Sequence, residues 1–165
     1  MRRLPPTMLL VSPGNLSRED ASRGGAGALE SLPQRAREAF RAGAQGLLLR
    51  EPQLEDGAFL ALARELRGLM DREVPGGWLG LHDRAHLAAA AGADGLHLAG
   101  SSLGVAEART VVGASLAIGV STHDGDGPAR WEGADYAMHA PVFPPNSKHG
   151  EAAPLGAQGL ARFCG

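Results

Sequence analysis

Two loops in the last third of the chain carry side chains that could transfer protons or bind anions. His123 lies in the polar loop 121–127 after the apolar stretch 117–120, and Lys148 follows the apolar stretch 134–138. An imidazole can take up and return a proton near neutral pH, and an ammonium group can bind an anion. In parallel β/α folds, residues just after the strands gather at one face, where ligands bind. We therefore expect His123 and Lys148 to share a ligand-binding face.

Other predicted strand ends also carry candidate binding residues. Arg50 ends the second strand, His82 and Asp83 follow the third, and His139 ends the sixth. A planar guanidinium pairs well with carboxylate or phosphate, so Arg50 is a candidate anion ligand. Asp83 and Arg84 could form an ion pair or be the remnant of a lost metal site. A histidine whose hydrogen bonds are satisfied by the backbone is an equally good interpretation of His82 and His139.

Apolar periodicity predicts the elements that position these residues. Short apolar stretches between turn residues predict six strands, at 7–11, 46–49, 78–81, 95–98, 116–120 and 135–139. Helical spacing and end signals predict helices at 33–41, 56–71, 85–91, 104–112 and 155–163, with a helical turn at 128–132. The glycine- and serine-rich stretch 15–31 predicts a long loop.

A small-residue motif recurs between helices and strands. Ala42-Gly43-Ala44, Ala91-Gly92-Ala93 and Glu132-Gly133-Ala134 each precede a predicted strand. Glycine there can take positive φ, which lets a helix end turn back onto the sheet. Three copies indicate serial parallel β/α units and favour an α/β fold of the (β/α) barrel type. Because a complete barrel has eight strands, we expect one domain over residues 1–165 that is an incomplete barrel.

Three polar residues are expected to have structural roles. His97 lies within the fourth predicted strand and is expected in the core. Asp94 and Asp135 precede strands, at the end of the barrel opposite the ligand face, where conformational roles dominate.

Bulk composition excludes several classes of function. A hydrophobic fraction of 44% and a net charge of −2 are typical of a soluble globular protein, without a basic patch for nucleic acid. Arg2 and Arg3 are interpreted as part of a free N-terminal segment.

The single cysteine, Cys164, indicates a cytoplasmic protein without a disulfide framework. No stretch reaches the roughly 18 apolar residues of a membrane span, and the short apolar stretch near the N-terminus is interpreted as a strand and not a signal peptide.

Six strands would also leave the first and the sixth as open sheet edges. Proteins seldom leave such edges bare, because unpaired backbone groups there pair with other chains. Either another chain covers these edges or the barrel closes in some irregular way, and we expect the first of these, a homo-oligomer.

Four motifs together resemble one known superfamily. They are Arg50-Glu51, HDRAHLAAAAGADGLHLAGSSL at 82–103, GVSTH at 119–123 and GADYAMHAPVFPPNSKHG at 133–150. This set resembles the thiamine phosphate synthase and TenI superfamily, over about 46–160. The resemblance implies a TIM barrel and a role in thiamine biosynthesis. There, the synthase joins a thiazole phosphate to a pyrimidine pyrophosphate, and TenI-like members tautomerise the thiazole.

The residues that pyrophosphate chemistry requires distinguish the branches of this superfamily. The synthase pattern has aspartates after strands three and four, which hold magnesium. Asp83 matches the first, but Ser102 stands at the second. The synthase pattern Gln-x-Arg-x-Lys corresponds here to Leu48, Arg50 and Pro52. The resemblance therefore implies a TenI-like thiazole tautomerase without a cofactor, and magnesium would be needed only by a synthase.

The resemblance also implies roles for individual residues. His123 would be the acid/base residue, acting on a small phosphorylated thiazole, and no residue is assigned to a metal. The residues expected to bind this ligand are Arg50, His82, Asp83, Ser121, Thr122, His139, Ser147 and Lys148. Two other interpretations stay open. One is a thiamine phosphate synthase with an altered metal site, and the other is a ligand-binding or regulatory barrel without catalysis.

Overall fold

Strands and helices alternate along the whole described chain. The structure, a computed structural model, describes residues 1–16, 28–144 and 153–164, without the side chains of 28–30. The strands are β1 (Leu9–Val11), β2 (Gly46–Leu49), β3 (Trp78–His82), β4 (Gly95–Leu98), β5 (Ala117–Thr122) and β6 (Tyr136–His139). The α-helices are α1 (Ala28–Arg41), α2 (Asp56–Glu73), α3 (Ala88–Ala91), α4 (Val105–Val112) and α5 (Gly156–Cys164), and 3-10 turns lie at Ala85–Leu87 and Pro128–Arg130.

The six strands form one parallel sheet in the order β1-β2-β3-β4-β5-β6. The sheet is strongly curled, because Trp78 on β3 and Tyr136 on β6 touch across it, with ring centroids 6.3 Å apart. Three strand spacings in a flat sheet would separate them by roughly 14 Å. The sheet is thus an incomplete (β/α) barrel, and the predicted fold class is confirmed.

The helices cover the outer face of this sheet. Helix α2 packs its apolar stripe inward, because apolar residues recur at helical spacing. Its buried side chains are Phe59, Leu62, Ala63, Leu66, Leu69 and Met70. A smaller cluster joins β4 and β5 to α4 and consists of Leu96, Leu98, Ala108, Ile118 and Val120. The helix that repeats most clearly in the sequence therefore covers the largest part of the core.

The inner face of the sheet combines glycines with large aromatic rings. A Cβ atom added to Gly80 or Gly95 would overlap the Trp78 ring, and one added to Gly119 would overlap the Tyr136 ring. Barrel interiors are usually filled by branched aliphatic side chains in layers. Here two aromatic rings fill the space that three glycines leave open.

The glycines of the recurring small-residue motif have the predicted conformation. Gly43, Gly92 and Gly133 have φ values of 107°, 65° and 76°. Each of these glycines lies shortly before β2, β4 or β6. The motif therefore lies where the chain turns back to the sheet, as its recurrence predicts.

Among the predicted boundaries that differ from the structure, two change the extent of a predicted loop. Helix α1 begins at Ala28 and not near Pro33, so part of the predicted loop 15–31 is helical. Proline lacks the backbone N–H that would donate to the carbonyl four residues earlier, so Pro33 costs the helix one hydrogen bond. The first helical turn can still form before it. Strand β5 extends to Thr122, because Ser121 pairs with Met138 and Thr122 with His139 of β6. These two polar residues therefore belong to a strand and not to the predicted loop.

Asp94, just before β4, organises the amino end of the barrel. Its carboxylate accepts hydrogen bonds from the Leu79 N–H (2.9 Å) and from the side chains of Arg67 (3.0 Å) and Arg3 (2.5 Å). The indole N–H of Trp78 in turn donates to the Arg3 carbonyl, at 2.9 Å. Asp94 thus has the structural role that was expected of it.

Asp135, just before β6, repeats this arrangement. It accepts hydrogen bonds from the Ile118 N–H (2.8 Å), Arg109 (2.7 Å) and Arg2 (2.5 Å). Burial alone would raise the pKa of Asp135, but these hydrogen bonds hold it below its usual value. The interpretation of Arg2 and Arg3 as a free terminus is therefore wrong, since both form ion pairs with these strand-start aspartates.

Within the described ranges, no helix combines the length and the apolar character that crossing a membrane requires.

The predicted self-association would involve β1 and β6, which form the two edges of the described sheet. Large apolar side chains near these edges are exposed, among them Val11 (47%) and Phe143 (69%). We expect the 165-residue chain to form dimers or larger oligomers, because strand edges and apolar surface favour pairing. Light scattering over a range of concentrations checks this. A monomer at every concentration would contradict it.

The glycine–aromatic packing predicts a large effect of one methyl group. Gly119→Ala should lower the free energy of unfolding by about 1–3 kcal/mol, because Tyr136 must move to admit the Cβ. Gly100→Ala is the matched control, since a Cβ there meets nothing within 4 Å. Urea unfolding of both variants measures the difference. Equal stability of the two variants would show that the interior is not closely packed.

Candidate functional site

A polar cluster lies at the carboxyl ends of β3, β4 and β5. His82 ends β3, and its Nδ1 lies 3.3 Å from Asp83 Oδ2. Asp83 Oδ1 accepts a short hydrogen bond from the Ser102 hydroxyl and a longer one, 3.5 Å, from the Ala99 N–H. The loops after β3 and β4 thus meet at the Asp83 carboxylate. We call His82, Asp83, His97, Ser102 and Ser121 the inner cluster.

Asp83 is held in its ionised form. Burial alone would raise the pKa of this carboxyl, but hydrogen bonds from His82 and Ser102 outweigh burial and lower the pKa to about 2. At neutral pH, Asp83 is therefore a fixed negative charge in the inner cluster.

His97 forms the floor of the inner cluster. It is 2% exposed, and its Nε2 lies 2.9 Å from the Ser121 hydroxyl. Its ring lies 5.7 Å, between centroids, from both the His82 and the Tyr136 rings. Burial, together with the nearby His82 and Arg130, lowers the pKa of His97 from 6.5 to about 4. The expectation of a core residue is confirmed, and the imidazole is neutral at physiological pH.

Two buried polar atoms of neighbouring rings lack a hydrogen-bond partner among the described residues. They are His97 Nδ1 and the Tyr136 hydroxyl. Burial also raises the pKa of Tyr136 well above its usual range, and the charge of Asp135 adds to this rise. His97, in the inner cluster, and Tyr136, beside it, are therefore both neutral at physiological pH.

Arg50 lies at the end of β2, under the loop that follows β1. Its backbone N–H donates to the Ser12 hydroxyl (2.7 Å), and a Cβ at Gly14 would meet the Arg50 guanidinium. The buried Glu51 accepts the N–H groups of Gly14 (3.0 Å) and Leu16 (2.9 Å). The Arg50-Glu51 pair of the sequence motif thus holds this loop over the end of β2.

Arg130 is a cation of the site that the sequence did not indicate. It lies in the turn between β5 and β6 and donates to the carbonyls of Ala99 (2.6 Å) and Ser121 (3.3 Å). These carbonyls lie at the carboxyl ends of β4 and β5. No local pattern marks this residue, since its partners are 31 and 9 positions away.

A second polar cluster lies on the outer side of β5 and β6. The Thr122 hydroxyl lies 2.9 Å from His139 Nδ1, and the His139 ring stacks on Phe163 of α5, with 3.9 Å between ring centroids. His123 is 54% exposed at its side chain, and its Nδ1 lies 3.8 Å from Asp126 Oδ2. His123, Asp126, His139 and Phe163, with other residues of the β5 loop and of α5, line a cavity of about 210 Å³. We call Thr122, His123, His139 and Phe163 the outer cluster.

The structure divides the predicted site residues between these two clusters. His82, Asp83 and Ser121 lie in the inner cluster, whereas Thr122, His123 and His139 lie in the outer cluster. Successive side chains of a strand point to opposite faces, so Ser121 and Thr122 must separate. Ser147 and Lys148 lie outside the described residues. The predicted pairing of His123 with Lys148 therefore stays a prediction.

The fold and the position of the polar residues define a class of protein. Parallel β/α units curl into an incomplete barrel, and polar side chains gather at the carboxyl ends of its strands, where (β/α)-barrel proteins bind their ligands. Within this class, the family described as "Thiamine monophosphate synthase" (TMP-TENI) matches residues 23–165. The chain belongs to the thiamine monophosphate synthase and TenI family, and the resemblance of its motifs is confirmed.

Individual relatives agree with this assignment. A protein of Geobacter sulfurreducens is 40% identical over 125 residues, which are 74% of this chain and 58% of that protein. The thiamine-phosphate synthase of Anaeromyxobacter dehalogenans is 36% identical over 128 residues, which are 76% of this chain and 55% of that protein. The chain thus spans less than two thirds of the length of these relatives.

A solved structure supports the fold. The thiamine phosphate pyrophosphorylase of Pyrococcus furiosus superposes with a TM-score of 0.69 at 23% identity, over 94% of this chain and 68% of that chain.

The neutral, buried His97 predicts a loss of stability in mild acid. The unfolded chain takes up this proton below pH 6.5 and the folded chain only near pH 4. The unfolded state therefore binds more protons in this window, and stability falls by up to about 3 kcal/mol as the pH falls from 6.5 to 4. His97→Gln, which can still bond to Ser121, should flatten this part of the profile. Denaturant unfolding at several pH values measures it.

The matched control is His123→Gln, which removes an exposed histidine. If both variants kept the full loss of stability between pH 6.5 and 4, the buried imidazole would not be its cause. Below pH 4 a further loss is expected from Asp83, since protonation of this carboxylate breaks its hydrogen bonds.

Proposed function

We propose that the chain binds a phosphorylated thiazole at the carboxyl ends of its strands and tautomerises it in thiamine biosynthesis. One observation carries this proposal. At the place where pyrophosphate chemistry requires two carboxylates, the inner cluster has one carboxylate and one hydroxyl, Asp83 and Ser102, hydrogen-bonded to each other. Proton transfer on a small anionic ring needs an acid/base group, such as a histidine, and cationic groups that bind the anion, and both are present at this end of the barrel.

The magnesium that a synthase would use does not fit this donor set. Magnesium bound to pyrophosphate is held by hard oxygen ligands, mainly carboxylates. Asp83 is already bonded to Ser102, Ala99 and His82, and the Ser102 hydroxyl is neutral. Among the described residues, no group of three or more histidine, cysteine, aspartate or glutamate side chains is arranged to hold a metal ion. No step of the proposed reaction therefore depends on magnesium.

Each residue has a distinct role in the proposed reaction. His123 directly follows β5, and its exposed ring can take a proton from one ring carbon and return it at another position of the thiazole. Arg50 binds the carboxylate or the phosphate of the ligand from the end of β2, and Lys148 would bind the other anionic group. His82 and Ser121 would contact the ring from the inner cluster, so the proposed reaction requires the exposed His123 of the β5 loop to reach a ligand bound over the inner cluster at the strand ends.

A second candidate function is thiamine phosphate synthesis, which the comparisons with relatives favour over tautomerisation. The relatives from Anaeromyxobacter dehalogenans and Solidesulfovibrio magneticus are both named thiamine-phosphate synthase. Their names favour the joining of thiazole phosphate to pyrimidine pyrophosphate, with release of pyrophosphate. The chain retains Asp83 and Arg50 of that pattern.

One pair of assays distinguishes these functions. With the thiazole tautomer, we expect ring aromatisation at the same rate with magnesium or with a chelator. With thiazole phosphate and pyrimidine pyrophosphate, we expect no release of pyrophosphate. Magnesium-dependent pyrophosphate release would establish the synthase instead. Binding of thiazole phosphate without either reaction would identify a ligand-binding barrel.

The proposed acid/base role predicts opposite effects of two substitutions. His123→Gln should lower kcat roughly 100-fold or more and leave the affinity for ligand nearly intact, because glutamine cannot transfer a proton. Arg50→Ala should weaken binding first, roughly tenfold or more, because a charge-assisted contact is lost. Steady-state kinetics and calorimetry separate the two effects. If His123→Gln turned over at the unaltered rate, His82 and His139 would be the next candidates.

A further inference from the structure

The loop after β3 contains two consecutive residues in an unfavourable backbone conformation. Asp83 and Arg84 have φ values of 58° and 55°, and neither is glycine. The left-handed region is uncommon for residues with a Cβ, and such residues persist where the surrounding structure holds them. Some contact must therefore stabilise this conformation of the loop.

The Arg84 side chain makes contacts of this kind. Its guanidinium donates short hydrogen bonds to Asp56 and to the Leu54 carbonyl, and a longer one, 3.3 Å, to the Pro52 carbonyl. It also lies 4.7 Å from the centroid of the Phe59 ring, which is a cation–π contact. The side chain is 17% exposed. Arg84 is thus fixed at several points.

All of these partners belong to the preceding β/α unit. Pro52, Leu54 and Asp56 lie between β2 and the start of α2, and Phe59 lies in the first turns of α2. Arg84 thus ties the loop after β3 to the loop after β2. The alternative of an Asp83–Arg84 ion pair is wrong, since Arg84 pairs with Asp56 and Asp83 pairs with His82.

The anchoring of Arg84 affects the direction of the side chain of Asp83, the residue before it. With Arg84 turned outward to α2, the left-handed backbone turns the Asp83 carboxylate towards Ser102, Ala99 and His82. An ordinary backbone conformation at these two positions would move the carboxylate away from its three partners. The direction of Asp83 therefore depends on a contact on the far side of the loop.

We propose that Arg84 is a positioning residue, which holds the Asp83 carboxylate in the inner cluster by anchoring the β3 loop to the β2–α2 connection. Arg84 itself touches no reacting group. It acts through the backbone of Asp83, so replacing it should change the inner cluster even if α2 and the sheet stay folded.

The test is the ionisation of Asp83, followed by NMR of the labelled carboxyl carbon. In the unaltered chain the pKa is about 2. In Arg84→Ala we expect it to rise by about one unit or more, towards the ordinary value of an aspartate near 3.9, because the hydrogen bonds that favour the anion are lost. No substrate is needed, so the outcome is separate from the reaction proposed above.

Two further variants distinguish the anchor from other causes. Arg84→Gly removes the guanidinium and also relieves the unfavourable φ, so a similar rise in the pKa of Asp83 shows that the anchor is what matters. Arg64→Ala is the matched control. It removes an arginine of α2 whose side chain donates to the Ala90 carbonyl of α3 at 2.9 Å, and it should leave the pKa of Asp83 unchanged.

Two outcomes would overturn the proposal. One is an unchanged pKa of Asp83 in Arg84→Ala, whatever the loss of thermal stability. The other is an equal rise in Arg64→Ala, which would assign the effect to a general loosening of α2 and not to the Arg84 anchor. If Arg84→Ala failed to fold, Asp56→Asn would weaken the anchor from the other side. It should raise the pKa of Asp83 in the same direction, and an unchanged value would count against the anchor.

Discussion

The contact between the Trp78 and Tyr136 rings sets the curvature on which the rest of the structure depends. The two rings meet across the sheet only because β3, β4 and β5 have glycine at Gly80, Gly95 and Gly119, where any Cβ would overlap a ring. Glycine weakens a strand on its own, since it has no side chain to pack. Here the packing that the three glycines lack is replaced by the two aromatic rings, each of which buries more surface than an aliphatic side chain.

The site follows from this curvature. His97 lies between His82 and Tyr136, with 5.7 Å between its ring centroid and each of theirs. The ring packing of the barrel interior therefore extends into the inner cluster. A neutral imidazole there holds the Ser121 hydroxyl, and a charged Asp83 holds Ser102. The polar residues at the carboxyl ends of the strands therefore pack against the closely packed aromatic interior of the barrel.

The sequence predicts those features that depend on local periodicity. It yields the parallel β/α order, helix α2, the positive φ of the small-residue motif and the structural role of Asp94 and Asp135. It does not yield contacts between residues far apart in the chain, such as Trp78 with Tyr136 or Arg130 with Ala99. It also placed Ser121 and Thr122 in one loop, because polar residues at a strand end resemble a turn. Only the pairing with β6 shows that they face opposite sides.

The ion pairs of the first residues have a consequence for the order of folding. Arg2 bonds to Ala114 and Asp135, at sequence separations of 112 and 133 residues. During synthesis, these partners emerge long after Arg2, and contacts of such long range form slowly because the closure of a large loop opposes them. We therefore expect the amino end of the barrel to be among the last parts to close. Until Asp135 is in place, the Arg2 side chain has no ion-pair partner there, and the edge of β6 is not yet tied to the beginning of the chain.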